Sequence, residues 1–319
     1  MARFLVTGGA GFIGSHLVEA LLEDGHGVRV LDDLSSGNSD NLPRAVEFIK
    51  ADVCDPDIVG RAFDGVDGCF HLAAIASVER CNREWLRAHQ VNLTGTINVF
   101  NEARPSRRHG EVPVVYASSA AVYGDRHTVP AVEKSFAEPL SAYGADKRGC
   151  ELHARAAGIT HGVPTTGLRF FNLYGPRQDA RSPYSGVIAI FIDRLRRGEP
   201  VEIFGDGQQV RDFTYVVDGV AALRRAMAVA STRAPIFNVC TGRGTTVRRL
   251  AETIAALSGG GLRINQRARR CSEVQISIGD PGHAAEELGF RAPTVLVDGL
   301  ASTLESLGPC ERIEARVVA

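Results

Sequence analysis

An α/β fold built on a doubly wound parallel sheet is what this sequence predicts, and three observations predict it. Short continuous apolar runs recur through residues 3–172, and helix-like stretches alternate with them. The runs lack the in–out alternation of a half-buried strand, so they read as strands covered on both faces. Four glycines, Gly8, Gly9, Gly11 and Gly14, stand between the first run and the first amphipathic stretch. Glycine costs about 0.5–1 kcal/mol in regular structure relative to alanine, so something requires a bare backbone there.

The elements follow in order. Residues 3–8 form the first apolar strand, and 15–25 a helix with Leu17, Val18, Leu21 and Leu22 on one face and Gly25 as its stop. Strands are expected at 27–32, 46–52, 68–74, 112–120 and 164–172. Between them lie helices at 56–63, 83–103 and 141–158, the last with Ser141 as a cap. Beyond residue 172 the pattern is less regular: a helix at 186–198, short strands around a Gly-rich turn at 199–218, and helices at 219–230 and 246–260. The division is therefore drawn as a first domain at 1–172 and a smaller mixed α/β domain at 173–319, a soft boundary across which later segments can return.

Composition narrows the class. The chain has 319 residues, 44% hydrophobic and 23% charged, with a formal net charge of −1. That is the make-up of an ordinary globular protein and gives no support for a nucleic-acid or membrane partner. The first residues enter a strand at once, which leaves no room for a signal peptide. Seven cysteines without a C-x-x-C pair read as reduced thiols in a cytoplasmic protein, and the nine histidines show no metal-ligand spacing.

Gly8-x-x-Gly11-x-x-Gly14 follows a strand and opens a helix. In that setting the glycines permit a tight turn, let a pyrophosphate approach the backbone, and let the helix pack close to the strand. The helix N-terminus, beginning at Phe12 and Ile13, offers N–H groups and partial positive charge to the phosphates. Asp32 ends the next strand, near the spacing expected of a ribose-binding acid. A carboxylate there favours NAD over NADP; the competing reading makes Asp32 a cap for the segment that follows. Asp52, before Val53 at the end of the third strand, is placed near the adenine, with a loop acid as the alternative.

Tyr143 and Lys147 are four residues apart on the helix and share a face. A lone tyrosine titrates near pH ~10; a neighbouring ammonium favours its phenolate, which can then exchange a proton with a substrate hydroxyl. Ser118 and Ser119 close the strand upstream, where a doubly wound sheet faces its ligand crevice. Taken singly, the Tyr–Lys pair could be a solvated helix pair and the serines a plain strand end.

These stretches together resemble the extended short-chain dehydrogenase/reductase family, most closely its UDP-glucose 4-epimerase branch. The resemblance is carried by TGGAGFIGSHL (7–17), LDDLSSGN (31–38), ADVCD (51–55), HLAAIASV (71–78), VNLTGTINV (91–99), YASSAAVYGD (116–125), YGADK (143–147), RFFNLYGPRQD (169–179), FGDGQQVRDFTYVVD (204–218) and FNVCTG (237–242), in family order over nearly the whole chain. It implies an NAD-binding Rossmann domain and a nucleotide-sugar domain. Tyr143 would be the base, Lys147 its partner, and Ser119 the second hydroxyl contact. Leu72, Ala73, Ala74 and Asn92 would lie along the cofactor. Asn172, Arg211 and Arg270 would hold the nucleotide sugar, the arginines at the diphosphate. Alternatively Arg211 pairs with Asp212, and Arg270 belongs to a solvated RARR run. Asp218 would be structural.

Departures from related branches sharpen the expectation. Ala120 and Ala121 stand where dehydratases carry an acid pair, so sugar 4,6-dehydration is disfavoured. Asn172 and Asp179 disfavour a UDP-glucuronate substrate. Ala76 lacks a lysine that some epimerases carry. Ser277 matches a position where a small residue leaves room for an N-acetyl group. The expected activity is thus UDP-hexose 4-epimerisation with retained NAD, in a cytoplasmic homodimer formed by helices such as 83–103 and 141–158. The alternatives are a nucleotide-4-keto-sugar reductase, another nucleotide-sugar substrate, or a silent NAD-binding scaffold.

Overall fold

The computed structural model describes residues 1–107, 110–125, 128–179, 186–269 and 274–308. Strands β1 (Arg3–Thr7), β2 (Gly27–Asp32), β3 (Glu47–Lys50), β4 (Gly68–His71), β5 (Val114–Ser119) and β6 (Thr165–Phe170) form one parallel sheet. Its seventh strand, β10 (Ile236–Val239), comes from far down the chain and pairs with β6. The order β10-β6-β5-β4-β1-β2-β3 reverses direction between β1 and β4. That switch point opens a crevice at the C-terminal ends of the strands.

Alternate residues feed opposite faces. Leu5, Cys69, Val114 and Tyr116 pack under Val59, Phe63, Val99, Phe100 and Ala154, which come from α2 (Pro56–Ala62) and the residue after it, from α5 (Gly95–Glu102) and from α6 (Ala142–His161). On the other face Val6, Val30, Phe70 and Val115 meet Leu17, Leu21 and Leu223 from α1 (Phe12–Glu23) and α8 (Val216–Met227), with α10 (Gly282–Glu287) alongside. Each such side chain contributes about 1.5–3 kcal/mol on burial. The doubly wound sheet read from the continuous apolar runs is the one observed.

The helix expected over 83–103 is instead broken into pieces. Helix α3 (Val78–Arg83) ends where Glu84 leaves helical geometry (φ −106°, ψ 43°), α4 (Trp85–His89) follows, and a π-helical turn, Gln90–Thr94, leads into α5. Within the wider turn Asn92, fully buried, accepts from Ile75 N–H (2.8 Å) and donates to Ile75 O (3.1 Å). By contrast α6 runs unbroken from its Ser141 cap, whose Oγ accepts from Gly144 N–H at 3.1 Å, to a left-handed Gly162.

A smaller set of elements stands on the C-terminal side of the large sheet. Strand β9 (Val210–Tyr215) is flanked by β11 (Gly244–Thr246) and β13 (Ile276–Ser277) and also pairs with β7 (Asn172–Tyr174). Strands β8 (Val201–Phe204) and β12 (Ile264–Arg267) form a two-stranded ribbon. Helices α7 (Val187–Arg196), α9 (Val247–Leu257) and α11 (Leu296–Ser306) close a separate core around Ile188, Phe191, Ile203, Phe213, Leu250 and Leu300. Among the described residues, no helix is long and apolar enough to cross a membrane.

Candidate active site

The glycine loop sits at the switch point, between β1 and α1. Gly8 has φ +71°, and a Cβ there would lie 2.7 Å from Ala73 N, so the loop after β4 rests directly on it. A Cβ on Gly14 would lie 2.1 Å from Gly8 O, which only glycine permits. Helix α1 has no side-chain cap and no acid in its first turn. A helix N-terminus left this way, here at Phe12 and Ile13, is suited to an anion. A dinucleotide pyrophosphate fits this chemistry.

Asp32 ends β2 beside the loop. Its carboxylate accepts from Ala10 N–H (3.0 Å) and Leu34 N–H (2.8 Å), so it shapes the glycine loop. Burial raises its pKa, outweighing those two bonds, and the neighbouring Asp33 adds to the rise. Asp52 is held differently. Its carboxylate accepts from Cys54 N–H (2.8 Å) and from Arg87 on α4 (2.5 Å). Partial burial pushes its pKa up, but those bonds outweigh it and the net shift is downward. Arg87 carried no signal in the sequence as a partner. Val53 is buried beneath Gly95 of the following helix.

Leu72, Ala73 and Ala74 leave the end of β4 along the crevice. The N–H groups of Leu72 and Ala73 reach Thr7 Oγ1 (3.2 and 3.3 Å), and Asn92 clamps Ile75 just beyond.

The Tyr–Lys pair stands on α6. Lys147 is buried, donates to Ala117 O at 2.8 Å, and lies 5.8 Å from the centre of the Tyr143 ring. Ala117 is two residues before Ser119, whose Oγ at the end of β5 accepts from Ala121 N–H at 3.1 Å. The turn Ala120–Val122 that follows packs on α6. Tyr143, Lys147 and the end of β5 are thus brought together where the crevice opens.

Ser118 departs from the expected substrate contact. It is buried, and its hydroxyl donates to Glu151 at 2.7 Å. Strand alternation sends neighbouring side chains to opposite faces, so only one of the two serines can face the substrate. Glu151 is itself gripped at both oxygens by Arg169 (2.7 and 2.8 Å), with Arg148 also on it (2.8 Å). Burial raises the Glu151 pKa, yet these donors outweigh it and the carboxyl titrates below its ordinary value. Sequence reasoning missed this pair. Its signal was present: Tyr143, Lys147 and Glu151 recur every four residues on one helix stripe.

The residues assigned to the nucleotide sugar share the small sheet. Asn172 pairs in register with Phe213 and donates from its amide to Asp212 O at 3.1 Å. Arg211 is in register with Ser277, and its guanidinium donates to Val210 O (2.9 Å) and Gln275 O (3.4 Å). The Asp212 carboxylate takes the N–H groups of Thr241 and Gly242 and the Thr241 hydroxyl. Asp218 takes the N–H and hydroxyl of Thr294. Arg270 lies outside the described residues.

A glycine-opened crevice with a Tyr–Lys pair beside the end of β5 is an arrangement suited to a dinucleotide-linked enzyme that acts on a hydroxyl. The chain belongs to the NAD-dependent epimerase/dehydratase family, whose model matches residues 4–240. It is 38% identical over 310 residues to the UDP-glucose 4-epimerase of Mycolicibacterium smegmatis, across 95% of this chain and 97% of the relative. Its structure resembles UDP-glucose 4-epimerase from Thermotoga maritima, solved with UDP-glucose (TM-score 0.91, 38% identity, 96% of this chain and 98% of that one). It also resembles UDP-N-acetylglucosamine 4-epimerase from Methanobrevibacter ruminantium, solved with UDP-N-acetylmuramic acid (TM-score 0.89, 33% identity, 96% and 98%).

Proposed function

We propose that this chain is a UDP-hexose 4-epimerase, interconverting UDP-glucose and UDP-galactose and also accepting the N-acetylated pair. The observation that carries this reading is the placement of Tyr143 and Lys147 beside the end of β5, in a chain similar over nearly its whole length to 4-epimerases. Bound NAD would supply the acceptor and donor of a hydride at C4 of the sugar. Tyr143 removes the proton of the 4-hydroxyl and gives it back. Lys147, held by Ala117 O, brings a positive charge to within 5.8 Å of the Tyr143 ring centre. Ser119 shares the hydroxyl proton. Gly8, Gly11 and Gly14 cradle the pyrophosphate, Asp32 binds the adenosine ribose, and Asp52, braced by Arg87, flanks the adenine.

Arg211 and Arg270 grip the sugar nucleotide's diphosphate, and Asn172 holds the same ligand. Forked guanidinium donors suit phosphate oxygens. An anchor tight at the diphosphate leaves the 4-keto sugar free to turn over between hydride transfers. Ser277, in register with Arg211, is the small residue that leaves room for an N-acetyl group.

The reading includes a substrate unit beginning near residue 173 and a homodimer working in the cytoplasm. In support of the dimer, Trp85 and Leu86 on α4 are exposed, as are Leu152 and Ile159 on α6, and Phe100 and Ala157 line a groove between α5 and α6. Light scattering on the purified protein tests it; a monomer overturns it.

The function itself is tested with UDP-galactose and UDP-N-acetylgalactosamine, followed by anomeric proton NMR. Both should convert to their gluco partners, and Ser277→Tyr should slow only the N-acetylated substrate. Net oxidation or reduction of added NAD(P)(H) would point instead to a reductase, and no turnover of either sugar would overturn the substrate class.

A further inference from the structure

His71 ends β4 at the floor of the crevice, fully enclosed, and takes no part in the chemistry above. Its Nδ1 lies 2.7 Å from Thr7 Oγ1 and its Nε2 lies 2.9 Å from Thr96 Oγ1. The proton positions follow from the partners. Thr96 has one hydroxyl proton, and it goes to Asn92 O at 2.6 Å. Thr96 must therefore accept from His71, which makes Nε2 the protonated nitrogen. Nδ1 is then the acceptor, and the Thr7 hydroxyl donates to it. The Thr7 oxygen keeps its lone pairs for the N–H groups of Leu72 and Ala73. An imidazolium would set Nδ1–H against an oxygen whose own proton has no other acceptor among these groups. Burial first, and the Lys147 charge second, lower the His71 pKa to about 3, in keeping with a neutral ring.

The bonds close into a ring. His71 leads through the backbone to Ile75, Ile75 is clamped by the Asn92 amide, Asn92 O receives Thr96, and Thr96 returns to His71. Thr7 ties the ring to the residue just before Gly8. The segment 72–75, the wall along which the cofactor is proposed to lie, is thus fixed at both ends from one imidazole.

We propose that His71, as the neutral Nε2–H tautomer, is a positioning residue that locks the 72–75 wall between the glycine loop and the π turn and so keeps NAD from leaving between turnovers. The proposal rests on the NAD reading given above.

Two measurements test it. In the full-length protein labelled with 15N, long-range proton–nitrogen correlation spectra should show His71 protonated at Nε2 alone, unchanged between about pH 5 and pH 8, the range in which a free histidine titrates. Protonation at Nδ1, or an imidazolium in that range, overturns the proposal. In Thr96→Val, which keeps the shape and deletes the acceptor, and in His71→Gln, the Kd for NAD should rise about 5- to 150-fold, the cost of an unsatisfied buried donor. Added NAD should then restore turnover. A lowered thermal midpoint with NAD affinity unchanged would make His71 merely structural and overturn the proposal. Should the parent protein bind no NAD, the cofactor reading fails with it, whereas a parent that binds NAD and variants that bind it equally well overturn only the role of His71. If His71→Gln does not fold, Thr96→Val and the parent spectra still decide.

Discussion

Gly11→Ala should leave the fold standing and loosen the dinucleotide, whereas Gly14→Ala should damage both. The difference lies in what each new methyl meets. At Gly11 the backbone is extended at φ −78°, ψ −177°, open to any residue. Leaving aside its chain neighbours, the one atom within 4 Å of its Cβ among the described residues is Gly8 O at 3.2 Å. Alanine there gains about 0.4–1 kcal/mol from a stiffer unfolded chain, offset in part by that close contact, so apo stability should barely move. The methyl instead occupies the approach to the first turn of α1. Losing one charge-assisted hydrogen bond to a phosphate is worth about 1.5–3 kcal/mol, or about 10- to 150-fold in Kd. At Gly14 the methyl would sit 2.1 Å from Gly8 O and 2.7 Å from Gly9 Cα, where ordinary contact begins at 3.4 Å. The helix must retreat from the strand by more than about 1 Å, and overpacking of this kind costs about 1–3 kcal/mol or more. Calorimetric titration of stripped protein with NAD, beside thermal unfolding of the same samples, separates the two. If Gly11→Ala binds NAD within about threefold of the parent, well inside the loss expected for one phosphate bond, the phosphate cradle is refuted.

Tyr143→Phe should lower kcat by about 10²–10⁴-fold, the usual worth of a positioned acid–base group, with NAD content unchanged; steady-state rates and absorbance of the purified protein check this. Ser119→Ala should lower kcat at least about tenfold more than Ser118→Ala, because only Ser119 is free of the Glu151 network; Ser118→Ala should show instead in denaturant unfolding, by about 1.5–3 kcal/mol for a bond to a charged acceptor. Glu151→Ala strands the buried Arg169 guanidinium and should destabilise the protein by about 3–5 kcal/mol. Because the Glu151 carboxyl titrates below its ordinary value of 4.5, its contribution is fully present above that pH and fades as the pH falls below it. Urea unfolding at stepped pH should show this acid-side loss in the parent and its absence in Glu151→Gln.

Much of this molecule is legible in its sequence, and the illegible parts have physical reasons. The parallel sheet was visible because β1, β4, β5 and β6 are buried on both faces and so are continuously apolar. The glycine cluster and Asp32 were visible because a strand–turn–helix leaves little freedom in where they fall. The direction of Ser118 was not: with both faces of β5 covered, apolar patterning does not say which face meets the crevice. The π turn was hidden because a helix period across 83–103 fits the same apolar residues, and the meeting of Asn92 with Ile75 inside it is a tertiary contact that spacing does not reveal. Arg87 on Asp52 and Thr96 on His71 are meetings between residues far apart in the chain, set by packing rather than by any local spacing.

The central claim is that C4 is oxidised and reduced by the same held NAD. UDP-galactose deuterated at C4, incubated with the purified protein and no added cofactor, tests it most directly by NMR. The account predicts UDP-glucose carrying the deuterium still at C4. Conversion with the label lost to solvent, or no conversion without an external hydride donor, would contradict it.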